Sequence, residues 1–331
     1  MKALVYTRPM QVEICDLATP PLQADNVLVR VRACGVCGSD LHGFLGKSSR
    51  RVPPLVLGHE FSGDIVQGGS GAAVAVYPLL CCGHCRYCTS GRENICPARR
   101  VFGLDLHGGL AEFVAAPADC AFPLPAGLSY LEGALVEPLA NAIHVASRIP
   151  NIRGGTGLIY GAGPIGIFCF LVARQAGAER LALVDRNPMR LALAKKIGAD
   201  LVVNADATDP VDTIQQWTGG CGVDFSIEAV GKTVCRESAI SCTASGGTVA
   251  CIGLDEETCR ADTRPLVVRE IDIRGAYAYT RKDFAAALHI LGDHRLPWEP
   301  LVTTAALDAG QKIFESLAGG QSEILKAVFL I

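Results

Sequence analysis

The chain has little aromatic content, 6% of its 331 residues, and almost no net charge, −3 at neutral pH. Together these exclude a nucleic-acid platform. Arg86, Arg92, Arg99 and Arg100 lie near one another in sequence, but without interleaved aromatics and within a slightly acidic chain. A long hydrophobic run is also missing: the longest apolar stretch, residues 158–173, is broken by three glycines and a proline, so no membrane span is expected. There is no N-terminal signal pattern, internal repeat or low-complexity tract, which points to a cytoplasmic protein whose fifteen cysteines stay reduced. Half the residues are hydrophobic, and the length allows two domains with substantial cores.

What the chain does hold is thiols at metal-ligand spacing. Cys82, Cys85 and Cys88 are each two residues apart, and Cys96 follows after seven more. A short loop with this spacing can wrap four thiolates around one tetrahedral ion, and zinc is the first choice. The Cys96-Pro97 ending suggests iron–sulfur ligation instead, but the bacterial ferredoxin run has three residues before its last cysteine and is accompanied by a second run. Cys81 is a spectator, because only Cys82 keeps the two-residue gap.

A second signature lies in Cys37-Gly38-Ser39-Asp40-Leu41-His42 and Gly58-His59-Glu60, with Glu137 further on in Val136-Glu137-Pro138. A thiolate, an imidazole and a carboxylate from separate loops would make a catalytic zinc site with one open position. Each residue also has a plain reading: Cys37 as a small buried hydrophobe, His59 as a core histidine, Glu137 as the acid that opens a helix.

Up to about residue 140 short strands alternate with Pro and Gly, among them Ala3–Tyr6, Val27–Val31, Ala72–Val76 and Glu112–Val114, as in an antiparallel, barrel-like domain. From about residue 156 strands and helices alternate, which implies a doubly wound parallel sheet and an α/β fold class. The first strand-to-helix turn carries Gly161-Ala162-Gly163-Pro164-Ile165-Gly166, and Asp185 ends the next predicted strand nineteen residues past Gly166. In that context the glycines permit a tight turn and close approach of a pyrophosphate. Asp185 can accept from both ribose hydroxyls and repels a 2′-phosphate, so NAD is favoured over NADP. Arg186 could pair with such a phosphate, though stacking near an adenine or plain solvation is simpler.

With these three signatures in this order, joined by Gly108-Gly109-Leu110-Ala111-Glu112, the whole chain resembles the zinc-dependent medium-chain alcohol and polyol dehydrogenases. Within that family it is most similar to the sorbitol, threonine and galactitol-phosphate branch, since Glu137 stands where simple alcohol dehydrogenases place a cysteine. The resemblance implies a GroES-like β-rich catalytic domain, residues 1–143 and 281–331, with a structural zinc lobe at about 78–100, and a Rossmann coenzyme domain at 144–280. It also implies a homodimer or homotetramer, two zinc ions per chain and a small alcohol or polyol substrate. The connection through Gln67-Gly68-Gly69-Ser70-Gly71-Ala72 is shorter than the family's and lacks its Gly-Asp-Arg-Val turn.

On this reading Cys37 and His59 bind the catalytic zinc, and Glu60 and Glu137 supply ligation or hold the bound water, with the inner-sphere carboxylate open. Ser39 would bond the substrate hydroxyl, His42 would extend a proton path to solvent, and Asp40 would orient His59. Arg190 is expected near the adenosine ribose. Val230-Gly231 and Ile252-Gly253-Leu254 would run along the nicotinamide half, with Gly275-Ala276 closing over it. Lys47, Arg50 and Arg51 form either a solvated basic face or a reader of a substrate phosphate. Two alternatives remain: a simple alcohol or threonine dehydrogenase, and a structural or binding protein that keeps the fold without turnover.

Overall fold

A computed structural model describes residues 1–260, 262–294, 296–320 and 323–331. The chain divides into two compact units, Met1–Glu137 with Thr280–Ile331, and Pro138–Tyr279. The division falls at Glu137, ahead of the expected boundary at residue 143, inside the first turn of helix Val136–Ser147. That helix is one continuous element, so the sequence pattern changes only at its end.

In the first unit the apolar run at Asn26–Gly35 forms the central strand of a seven-stranded sheet. It pairs antiparallel with Glu60–Gln67, Phe113–Pro117 and Lys326–Leu330. Strands Glu60–Gln67 and Ala73–Val76 pair across the shortened connection, with Gly63 opposite Val74. The turn is possible because Gly68 and Gly71 take the left-handed backbone that Cβ-bearing residues avoid. The sheet is not wholly antiparallel as expected: Val302–Ala306 runs parallel to Lys326–Leu330, joined through helix Gly310–Ala318. A smaller sheet pairs Lys2–Arg8 with Gln11–Asp16 and Leu55–Val56. Buried rings pack in the same unit, Phe44 on Phe314 and Tyr77 edge-on to Phe284.

The second unit is a six-stranded parallel sheet in the order Leu201–Asn204, Arg180–Asp185, Thr156–Tyr160, Val223–Glu228, Thr243–Cys251, Asp272–Gly275. The strand order reverses between Thr156–Tyr160 and Val223–Glu228, and in such sheets the crevice beyond the strands' carboxyl ends at that point receives the ligand. Helix Pro164–Gln175 begins there, with proline at its first turn and every side chain from Gly166 to Ala173 buried. Among the described residues no helix is long and apolar enough to cross a membrane.

Candidate active site

Register builds the first site. Gly35 faces Glu60 across the central strand pair, so Cys37, just past one strand, and His59, just before the other, reach the same sheet end. The Cys37 thiol, a His59 ring nitrogen and a Glu60 carboxylate oxygen lie within 4.8 Å of one another. The C-terminal strand, pairing Val328 with Gly35, adds a residue that sequence reading missed. Lys326 is 2% exposed and donates to Val36 O at 3.0 Å and to the Glu60 carboxylate. A Cβ at Gly35 would sit 2.1 Å from Glu60 Oε2, so glycine is what lets that carboxylate lie across the strand. A lone lysine in the apolar run Leu325-Lys326-Ala327-Val328 was the available signal, since a buried lysine needs a partner.

Lys326 occupies one Glu60 oxygen while the other, Oε1, is buried with no protein partner. A thiol, an imidazole and an orphaned carboxylate oxygen at this spacing fit a zinc ion. Glu137 stands outside the cluster. It is 7% exposed in the first turn of its helix, near enough for its charge to act on Lys326. Of the two candidate carboxylates, the fold brings Glu60 to the thiol and imidazole.

Asp40, fully buried, joins the two ligand loops. Its Oδ2 accepts from the Cys37 backbone at 3.0 Å, and its Oδ1 lies 3.4 Å from His59 Nδ1, which leaves Nε2 free to take a metal. Burial opposes charge on both groups. Even so, His59 and Arg51 hold the Asp40 carboxyl well below its ordinary value, and Asp40 and Cys37 hold the His59 imidazole well above its own. A metal bound at His59 therefore displaces a proton, and its hold weakens as pH falls.

Ser39 and His42 share helix Gly38–Phe44 at a spacing that puts them on one face. Of the basic trio, Lys47 and Arg50 lie on an exposed face, where Arg50 pairs with Asp105, whereas Arg51 is buried against Asp40 and Ser39.

The four-thiol loop closes as its spacing suggests. Cys82, Cys85, Cys88 and Cys96 place their sulfurs within 4.8 Å of one another, with contacts of 3.5 Å from Cys85 to Cys88 and 3.6 Å from Cys96 to Cys82. Backbone N–H groups of His84 and Cys85 point at Cys82 and lower its thiol to about 6, which suits a thiolate ligand. Cys81 turns away and donates to Glu93 O at 3.1 Å. Cys96→Ser is expected to release about one zinc per chain and to lower the melting temperature, because a closed metal site couples its binding energy to the fold of its loop. Metal analysis with calorimetry checks this, and a variant with parental zinc and melting would overturn the four-thiolate assignment.

The second unit holds a cavity of about 920 Å³ lined by Gly161, Gly163, Asp185, Arg186, Arg190 and Val230 among others. Gly161 has φ +95°, and a Cβ at Gly166 would meet Gly161 O at 1.7 Å, so turn and helix pack only as glycines. Beside Gly163 a Cβ would find only an Arg190 nitrogen at 3.8 Å, which leaves a cradle for a diphosphate, and the Arg190 Nε in the same wall is buried without a partner. Asn187 caps the next helix and positions Arg190 through its backbone. Asp185 accepts from Ala162 N at 2.7 Å and Asn187 N at 2.8 Å, one bond on each oxygen, and each oxygen keeps a lone pair for a ribose hydroxyl.

Arg186 is largely exposed to solvent. It donates to Asp206 at 2.6 Å, with both residues in the cavity wall. Gly231, Ile252, Gly253, Leu254, Gly275 and Ala276 are not among the residues lining this cavity. They lie at neighbouring strand ends, where Gly253 packs against Gly231 so closely that a Cβ would come within 2.0 Å of its nitrogen. Buried Glu228, which sequence reading also missed, holds that turn by accepting from Val230 N and Gly231 N at 2.8 and 2.6 Å.

The family pattern described as alcohol dehydrogenase GroES-like domain matches residues 23–126, and that described as zinc-binding dehydrogenase matches residues 164–293. The sorbitol dehydrogenase of Bacillus subtilis (strain 168) is 33% identical over 99% of this chain and 96% of its own length. The L-threonine 3-dehydrogenase of Bacillus velezensis is 32% identical over 97% and 96% respectively. Among solved structures, one described as a zinc-binding dehydrogenase of Sinorhizobium meliloti 1021 bound to NADP superposes with a TM-score of 0.92 at 29% identity, covering 100% of this chain and 99% of that one.

Proposed function

Because the chain belongs to the zinc-dependent medium-chain alcohol and polyol dehydrogenases, an oxidoreductase family, we propose that it oxidises a secondary alcohol of a polyol, sugar alcohol or sugar-alcohol phosphate to the ketone, with NAD as hydride acceptor. The observation that carries this reading is the cluster of Cys37, His59 and Glu60, whose third donor is a carboxylate with one oxygen unclaimed. Cys37, His59 and Glu60 would hold the catalytic zinc, and Cys82, Cys85, Cys88 and Cys96 the structural one. Bound there, the catalytic metal would supply Lewis acidity that lowers the pKa of a substrate hydroxyl towards neutrality, and the nicotinamide would supply a hydride acceptor. Ser39 Oγ takes the substrate's hydroxyl proton and passes it to His42 and on to solvent. Asp40 keeps the His59 ring turned towards the cluster.

Arg50 and Arg51 are committed to Asp105 and Asp40, so an unphosphorylated polyol is expected to outperform its phosphate. The 32% identity to an L-threonine 3-dehydrogenase supports a second reading, since threonine also carries a secondary hydroxyl. Steady-state rates with polyols, sugar phosphates, threonine and primary alcohols, each with NAD and NADP, test both. Turnover of none of them would leave the inactive-scaffold alternative.

Asp185→Ala is expected to weaken NAD binding by roughly 10- to 100-fold, as the loss of a charged hydrogen-bond acceptor worth about 1.5–3 kcal/mol requires. NADP should lose less or gain, because a charge repelling its 2′-phosphate is gone. Comparing kcat/KM for the two coenzymes decides this, and an unchanged preference would sink the NAD assignment. The chain is also expected to form a homodimer or homotetramer. Val267 and Val268, 76% and 67% exposed, and Ile273 on edge strand Asp272–Gly275 leave an apolar margin on the parallel sheet. Sedimentation velocity would show it, and a monomer at micromolar concentration would count against it.

A further inference from the structure

Arg51 reads in the sequence only as the end of a short basic run, yet it is 6% exposed beneath helix Gly38–Phe44. Its stem crosses Gly43, where a Cβ would come within 2.3 Å of Arg51 Cδ, so the helix rests on it. Its Nε donates to Gly103 O at 3.1 Å, and its Nη2 donates both to Ser39 Oγ at 3.0 Å and to Asp40 Oδ1 at 3.2 Å. Asp40 in turn holds the Cys37 backbone with one oxygen and faces His59 Nδ1 with the other. One planar guanidinium thus reaches, through a single buried carboxylate, both residues that present the thiol and the imidazole.

The same group constrains Ser39. A guanidinium donates and never accepts, so with one lone pair taken by Arg51 the Ser39 hydroxyl cannot point its own proton at Arg51 and must direct it away. We propose that Arg51 is a positioning residue for the metal site: it holds Asp40 against His59 and turns the Ser39 hydroxyl outward. The proposal rests on reading Cys37, His59 and Glu60 as metal ligands.

The test uses Arg51→Met and Arg51→Lys in the full chain, with Co²⁺ as the metal probe. Three quantities are read: the visible Co²⁺ spectrum, metal affinity by chelator competition, and kcat on the best alcohol. Arg51→Met should weaken the metal at Cys37 by about 10- to 100-fold and shift the Co²⁺ bands, the range seen when a partner of a metal ligand is lost. Arg51→Lys should restore affinity to within a few-fold, because an ammonium still faces Asp40. Its kcat should remain down by about 10-fold, since a single ammonium cannot also span Ser39 and Gly103. In a Ser39→Ala background that remaining loss should vanish.

Parental spectra, affinity and kcat in both variants would overturn the proposal, as would a lowered melting temperature with all three unchanged. If Arg51→Met does not fold, Arg51→Lys decides alone on the same readings. A parent chain that binds no more Co²⁺ than Cys37→Ser would overturn the metal-site reading and this proposal together, whereas a metallated parent with indifferent Arg51 variants overturns this proposal alone.

Discussion

In the metal-free chain Lys326→Met is expected to destabilise the first unit by about 3–5 kcal/mol, the cost of leaving one member of a buried ion pair without its partner. Lys326 and Glu60 are both buried, and the missing side chain of Gly35 makes the room in which the carboxylate lies. The double variant Glu60→Gln with Lys326→Met should recover most of that loss, because no buried charge then lacks a partner. A chain with two compact units need not unfold in one step, so the measurement is amide hydrogen exchange along Lys326–Leu330 and Asn26–Gly35 alongside the melting curve. Parental exchange and melting in Lys326→Met would show that the pair contributes nothing.

The second large effect separates the two carboxylates. Glu60→Gln removes the charged donor that the fold brings to Cys37 and His59, and is expected to release the catalytic metal and abolish turnover. Glu137→Ala should keep the metal, lower kcat by about 10²-fold or more through lost preorganised electrostatics, and leave NAD affinity at its parental value. Zinc content, coenzyme titration and steady-state rates would be measured together on both variants. Metal lost from Glu137→Ala and kept by Glu60→Gln would reverse the assignment, and a parental kcat in Glu137→Ala would reduce Glu137 to the acid that opens its helix.

Much of this site is legible in the order and spacing of its residues. Cys82, Cys85, Cys88 and Cys96 lie within one loop, and Gly161, Gly163 and Gly166 within one turn, so their spacing alone dictates what they can gather around. The Cys37 and Gly58-His59-Glu60 motifs are legible as donor types, because thiol, imidazole and carboxylate are the groups from which zinc takes its ligands. Residues that act across long sequence separations are not. Lys326 meets Glu60 over 266 residues, a contact created by the pairing of the C-terminal strand with Asn26–Gly35. Arg51 reads as a surface cation because nothing local shows that Gly43 opens a passage beneath a helix for its stem. Asp206, which takes Arg186, comes from the end of the adjacent strand Leu201–Asn204.

The sequence by itself determined the parallel sheet of the second unit, the donors available to metals and the acidic residue that ends the second strand of that sheet, because these follow from periodicity, spacing and side-chain chemistry within short segments, whereas the parallel pair Val302–Ala306 and Lys326–Leu330 in the first unit came only with the fold. Tertiary structure decided which charges are spent on one another. It paired Glu60 with Lys326 and Asp40 with His59 and Arg51, and it left Glu137 outside the cluster of Cys37, His59 and Glu60. The reason is physical: a buried charge must find a partner, and strand register and helix placement determine which one lies within reach.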